Sequence, residues 1–117
     1  MLTDEKLKQE QADEEMINQA FEHLLQSYLT SKHRRKVEII TKAFNFAKQA
    51  HKGVKRRSGE PYIMHPIAVA QIACSEIGLG STSICAALLH DVVEDTDYTV
   101  EDIENLFGPK VAQIVDG

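Results

Sequence analysis

The side chains best suited to chemistry directly follow an apolar run in the second half of the chain. Residues 84–89 are almost wholly apolar, and His90 and Asp91 come immediately after them. A buried charge has a large desolvation cost, which a divalent cation can offset by binding a carboxylate and a neutral imidazole together. His90 and Asp91 are therefore the first candidate metal ligands.

Two further carboxylates, Glu94 and Asp95, lie one helical turn later. They return to the faces of the histidine and the aspartate, because residues three to five apart on a helix are neighbours. Adjacent side chains diverge by about 100°, so we expect the helix to end or distort where His90 and Asp91 share an ion. The alternative is a solvated acidic helix end, but negative charge there opposes the helix dipole. Four such groups after a buried run favour a site.

Two more histidines are candidates. His65 precedes Pro66, which suits the first turn of a helix, so His65 is predicted at or near an N-cap. It lies one loop–helix–turn unit before His90, and the two can meet across an antiparallel helix pair. His51, at the end of a helix predicted over 36–51, is a rival ligand. A helix-end histidine bonded to a backbone carbonyl is an equally good interpretation of it.

A basic loop is predicted between these helices, because Gly53, Gly59 and Pro61 interrupt regular structure in residues 52–62. Residues 48–57 include five basic side chains and no acid, whereas residues 91–109 include seven acids and no Lys or Arg. Arginine suits phosphate oxygens, and a metal held by acids beside a basic strip suits an anionic phosphorylated substrate. Taken alone, a basic loop is better explained by simple solvation.

The remaining pattern is helical. Apolar residues at three-to-four spacing predict an amphipathic helix up to about residue 30 and a second one over 36–51, with Ser31 as its N-cap. A third helix starts at His65-Pro66 and a fourth near Ser81. Thr99 and Asp102 form a predicted capping box for a short fifth helix, and a last one covers 110–116. The fold class is therefore all-α.

The composition excludes several classes of protein. A chain of 117 residues with 43% hydrophobic residues and three prolines is one small helix-rich domain or part of one. Its net charge of −5 argues against a nucleic-acid-coating role. Cys74 and Cys85 fall in helical patterns and are interpreted as reduced core residues. The sequence shows no signal region and no apolar run of about 18 residues, so we expect a cytoplasmic protein that does not enter a membrane.

The motifs resemble a known family. His-Pro, a helix and then His-Asp on the next helix is the order found in the HD superfamily of metal-dependent phosphohydrolases. More narrowly, the chain resembles the N-terminal hydrolase domain of the RelA/SpoT family, which makes and degrades (p)ppGpp, over residues 50–53, 56–66, 88–96 and 107–117. The resemblance implies an all-α, HD-domain-like helical bundle, of which this chain holds the N-terminal part only. Residues 1–30 would be a helical extension and 31–117 the beginning of the HD domain.

The resemblance also implies roles for single residues. The ligands of a Mn²⁺ ion would be His65, His90 and Asp91, whereas His51 is not a ligand in the family. Glu94 and Asp95 would orient or deprotonate the attacking water, and Arg56 would hold the phosphate side of the site. The implied reaction removes pyrophosphate from the 3′ position of (p)ppGpp. The nucleotide pocket would be lined by Arg57, which stands where a lysine is common, together with Ser58 and Tyr62.

A further aspartate ligand and a nearby asparagine are expected on a helix beyond position 117, and Asp116 is not that ligand. We therefore expect a fragment that binds Mn²⁺ weakly, turns over (p)ppGpp poorly or not at all, and self-associates through exposed apolar surface. Ribosome contact would need regions outside this chain. Two alternatives stay open. One is another HD nucleotide phosphohydrolase, which would lack the loop of residues 56–62. The other is a helical regulatory module with a vestigial cluster.

Overall fold

The structure, a computed structural model, describes residues 4–31 and 36–117. These residues form six α-helices, and their only β-structure is an isolated bridge between Lys55 and Pro61. The predicted all-α fold is confirmed. None of the helices in the described ranges is both long and apolar enough to cross a bilayer. In chain order the helices are α1 (Asp4–Leu29), α2 (Val37–Ala50), α3 (Met64–Ser75), α4 (Ser81–Asp95), α5 (Val100–Phe107) and α6 (Pro109–Asp116).

Helix α4 is the centre of the core. It packs against α2, α3 and α6, because its apolar run leaves no polar face for solvent over most of its length. Burial of Cys85 on this helix raises the pKa of its thiol to about 12. Cys74 is buried on α3, so the prediction that both cysteines are core residues is confirmed. The buried residues of α4 are Ile84, Cys85, Ala86, Leu88, Leu89 and Val92.

Helix α1 shares this core. Phe21 of α1 stacks on Phe44 of α2 with ring centroids 3.8 Å apart, and the amide of Gln71 on α3 donates to the Ser27 hydroxyl at 2.8 Å. The buried residues of α1 belong to the same hydrophobic cluster as those of α4. The division of the chain near residue 30 stays a prediction.

The helix ends agree with the predicted capping at one place and differ at another. The Thr99 hydroxyl accepts from the Asp102 N–H at 3.1 Å, and the Asp102 carboxylate accepts from the Thr99 N–H at 2.9 Å, so the capping box is confirmed. The prediction for Ser31 is wrong. Its hydroxyl and its N–H both donate to the Tyr28 carbonyl, at 2.6 and 3.0 Å, so Ser31 completes the end of α1. Lys36 occupies the N-cap of α2 without a side-chain cap.

Candidate metal centre

An antiparallel pair of helices brings the candidate ligands together. His65 is the second residue of α3, and Asp91 lies in the last two turns of α4. Nε2 of His65 is 4.0 Å from Oδ2 of Asp91, and Nδ1 of His90 is 3.5 Å from Oδ1 of the same carboxylate. Asp91 therefore offers one oxygen to each histidine, as expected if two adjacent helices meet end to start.

The helix around His90 differs from the sequence prediction. We expected α4 to end or distort at His90 and Asp91, but it continues as a regular helix to Asp95. The extra turn places Glu94 beside His90, with Oε1 3.8 Å from Nε2. His90, Asp91 and Glu94 each present a ligand atom within 4.8 Å of the others. The compact cluster is therefore His90, Asp91 and Glu94, and His65 of α3 adjoins it through Asp91.

This donor set fits a divalent cation. Two ligands with metal bonds of about 2.1 Å lie roughly 3.0–3.5 Å apart, so separations of 3.5 and 4.0 Å need only small side-chain rotations to close. The Asp91 side chain is 17% exposed, whereas those of His65 and His90 are about half exposed. The carboxylate thus sits at the floor of the cluster, and the imidazoles stand at its rim. Imidazole and carboxylate together accommodate several divalent metals.

Tyr62 joins the cluster from the loop before α3. Its ring centroid is 6.3 Å from that of His65. Burial and the carboxylates of Asp95 and Asp91 raise the pKa of Tyr62 to about 12, so the phenol keeps its proton at neutral pH. Its hydroxyl is a hydrogen-bond donor next to two carboxylates, which the sequence alone did not indicate.

His51 lies behind Tyr62, with ring centroids 4.9 Å apart. It is 4% exposed, and its Nε2 atom is buried without a hydrogen-bond partner among the described residues. Burial lowers the pKa of His51, and the charges of Asp95 and Asp91 oppose that shift only in part. No backbone carbonyl of the described residues accepts a hydrogen bond from Nε2 of His51, so the interpretation of a carbonyl-bonded histidine has no support at this atom. His51 also lies outside the ligand cluster.

The basic loop folds back on itself as a tight hairpin around the single antiparallel bridge of Lys55 with Pro61. The Arg56 N–H donates to the Glu60 carbonyl and the Tyr62 N–H to the Val54 carbonyl, both at 2.9 Å. The Arg56 guanidinium pairs with the Glu60 carboxylate at 3.0 Å. Arg57 and Ser58 are exposed at the turn, and neither bonds to the ligand cluster within the described ranges. Of the predicted phosphate and nucleotide residues, Tyr62 is therefore the one that the described ranges place against the ligand cluster.

Sequence reasoning missed one feature that links this hairpin to α1. Lys55 pairs with Asp13, a buried carboxylate that also accepts from the Gln9 amide at 2.9 Å. Lys55 and Gln9 lower the pKa of Asp13, and burial opposes them. The sequence did contain a signal for this contact. Asp13 lies four residues before Ile17, so it falls on the apolar stripe of α1, and a carboxylate on a buried face needs a partner.

Comparison with known proteins agrees with this geometry. A family model described as "HD domain" matches residues 43–117. A guanosine-3′,5′-bis(diphosphate) 3′-pyrophosphohydrolase from Aquifex aeolicus is 47% identical over 89 residues, which cover 76% of this chain and 13% of that protein. The bifunctional (p)ppGpp synthase/hydrolase SpoT from Escherichia coli K12 is 44% identical over 99 residues, covering 85% of this chain and 14% of the relative.

A third relative carries a different name. A probable GTP pyrophosphokinase from Mycobacterium leprae is 51% identical over 81 residues, which cover 69% of this chain and 10% of that protein. The chain thus spans between 10% and 14% of the length of these relatives. Resemblance to the RelA/SpoT group, stated above from the motifs, is confirmed by these matches.

Proposed function

The chain belongs to the HD domain family, and on that premise we propose that it carries part of the active site of a (p)ppGpp 3′-pyrophosphohydrolase. The observation that carries the proposal is Asp91, whose two oxygens face His65 and His90 across the α3–α4 pair. The names of the relatives from Aquifex aeolicus and Escherichia coli support the substrate and the reaction.

Under this proposal His65, His90 and Asp91 hold a Mn²⁺ ion. When bound, such an ion would supply a water of lowered pKa and polarisation of a phosphoryl oxygen. Side chains of this chain would surround the ion. The Asp91 carboxylate balances part of the cation's charge from the floor of the cluster, and the two imidazoles bind as neutral ligands. Glu94 lies beside these ligands, with its Oε1 3.8 Å from Nε2 of His90.

The exposed carboxylates one helical turn beyond the ligands would transfer the proton. Glu94 and Asp95 are on the solvent side of the cluster, where a carboxylate can take a proton from the attacking water. The Tyr62 hydroxyl keeps its proton next to these carboxylates, because burial and the charges of Asp95 and Asp91 raise the pKa of Tyr62. This arrangement separates the residues that hold the metal from those that move the proton.

Phosphate binding falls to the hairpin. The Arg56–Glu60 pair is exposed, with side chains 46% and 39% accessible, and exposed ion pairs contribute little stability. A phosphate group can therefore replace Glu60 as the partner of Arg56 at small cost, and the guanidinium binds it in bidentate fashion. Arg57 and Ser58 would contact the nucleoside from the turn. We place the reaction in the cytoplasm, where the free cysteines of the core stay reduced.

The test is Mn²⁺-dependent binding and cleavage of ppGpp. We expect the chain to bind ppGpp more tightly with Mn²⁺ than with EDTA, and any turnover to give pyrophosphate and GDP. Asp91→Asn should abolish both effects, whereas Asp97→Asn in the same acidic stretch should not. GDP and ADP serve as competitors, because a general nucleotide phosphohydrolase would not prefer the 3′-pyrophosphate. Equal binding with and without Mn²⁺ would overturn the proposal.

A further inference from the structure

The hairpin before α3 has two faces with different neighbours. Opposite residues of an antiparallel pair share a face, and successive residues alternate between faces. Lys55 pairs with Pro61 across the bridge, so these two occupy one face. Arg56 and Glu60 occupy the other, as their ion pair shows. Tyr62, one residue after Pro61, belongs to the face of Arg56.

The Lys55 face is turned to α1. Its ammonium pairs with Asp13, and Lys55 and Pro61 line a cavity of about 630 Å³ between α1 and the hairpin. Because this space is not filled by side chains, packing alone does not set the position of the hairpin on α1. The ion pair is the direct link across it. Alternation then turns Arg56 and Tyr62 away from α1, and Tyr62 reaches the metal cluster on that side.

Asp13 is well placed to hold this link. Its side chain is 11% exposed, and the Gln9 amide fixes its second oxygen. The neighbouring pair of Glu14 with Lys48 is different, because Glu14 is 52% exposed. A buried carboxylate is costly without its cation, whereas an exposed one is not. Asp13 therefore binds Lys55 more selectively than Glu14 binds Lys48.

We propose that Asp13 and Lys55 are a positioning pair through which α1 sets the register of the hairpin, so that Arg56 and Tyr62 face the metal cluster. Sliding the pairing by one residue would turn every hairpin side chain to the opposite face. Neither residue of the pair contacts the cluster in the structure. Asp13 also lies outside residues 43–117, the part matched by the HD domain family. The inference rests on the proposed function for its effect on nucleotide binding.

The first measurement is amide hydrogen exchange in the whole chain, which needs no ligand. The informative amides are those of Arg56 and Tyr62, which close the hairpin ladder. Lys55→Met should speed their exchange about tenfold and leave the buried amides of α4 unchanged. Glu14→Gln, which removes the exposed neighbouring pair, should leave both sets unchanged. Unchanged exchange at Arg56 and Tyr62 in Lys55→Met would overturn the positioning role.

A double variant separates positioning from stability. Removing both partners spares the cost of an unpaired buried charge, so Asp13→Asn with Lys55→Met should recover most of the stability lost in Lys55→Met. It should not recover the slow hairpin exchange, because the link is still missing. If the double variant recovered both the stability and the slow amide exchange of the hairpin, the pair would be merely structural and the proposal would be refuted.

The second measurement is nucleotide affinity. In Lys55→Met and in the double variant, ppGpp affinity in the presence of Mn²⁺ should fall about tenfold, while Mn²⁺ affinity alone stays as in the unaltered chain. Loss of Mn²⁺ affinity would contradict the inference, since the pair does not touch the ligands. If the unaltered chain does not bind ppGpp while hairpin exchange still responds to Lys55→Met, the proposed function fails and the register role stands.

Discussion

Nε2 of His65 lies 4.0 Å from Oδ2 of Asp91, although 25 residues separate them in the chain. The contact exists because α3 and α4 run antiparallel, with the first turn of one beside the last turns of the other. Since the other oxygen of Asp91 faces His90, a single carboxylate connects both histidines. Asp91 is therefore the residue on which cation binding most depends.

We expect Asp91→Asn to lower Mn²⁺ affinity by more than about 100-fold, because loss of even an outer-shell partner costs about 10- to 100-fold. Electron paramagnetic resonance of free Mn²⁺ during titration measures the change directly. Asp97→Asn is the matched control, an exposed aspartate two residues beyond the helix. Equal affinities for the two variants would exclude Asp91 as a ligand.

Glu94 is either a proton-transfer group or a fourth ligand, and one substitution distinguishes these roles. If it handles the proton, Glu94→Gln should reduce turnover of ppGpp by about 100-fold or more and change Mn²⁺ affinity little. If it binds the metal, Mn²⁺ affinity should fall as it does for Asp91→Asn. We expect the first result, because the Asp91 side chain is 17% exposed and lies deeper in the cluster than Glu94, which is 64% exposed.

His51 should make stability depend on pH. In the unfolded chain it takes up a proton near the ordinary histidine pKa of 6.5, whereas burial lowers the pKa of His51 in the folded chain. Below pH 6.5 the unfolded state binds more protons than the folded state. The free energy of unfolding therefore decreases as the pH is lowered, by at most about 1.4 kcal/mol per pH unit. Urea denaturation at pH 7.5, 6.5 and 5.5, in steps of about one unit, measures this slope.

The matched variants for that experiment are His51→Leu and His23→Leu. His51→Leu should flatten the dependence on pH, since the buried imidazole is gone. His23 is exposed on α1, and its replacement should leave the slope in place. Parallel curves for the unaltered chain and His51→Leu would show that His51 takes no part.

The capping box at Thr99 gives a stability prediction independent of the site. Thr99→Ala removes the acceptor of the Asp102 N–H and should lower the free energy of unfolding by about 1 kcal/mol. Chemical denaturation measures it, with Gln113→Ala on the exposed face of α6 as control. A loss no larger than that of the control would mean that α5 does not need its cap.

Local signals predicted the helices and the ligand candidates. The apolar run ending at His90, the His-Pro start of α3 and the Thr99 capping box each lie within a few residues of the feature they specify. The continuation of α4 past Asp91 was missed because two adjacent residues were expected to share an ion only where a helix ends or distorts. Packing of Val92 in the core instead keeps the helix regular.

Contacts between distant segments could not be predicted in the same way. Asp13 and Lys55 are 42 residues apart, and no sequence period links a helix face to a hairpin face. The same holds for the Tyr62 hydroxyl and Asp95, which meet because α3 starts beside the end of α4. Arg57 and Ser58 were assigned from resemblance alone, and their contacts with a nucleotide stay a prediction.

The α3–α4 pair also has a consequence for folding order. All three candidate ligands come from one helical hairpin, so their approach closes a short loop and costs little chain entropy. The contact between Asp13 and Lys55 spans a longer loop. Since local contacts form fastest, we expect the cation-binding corner to assemble before α1 docks. The nascent chain would then acquire its metal site first and its nucleotide-binding surface last.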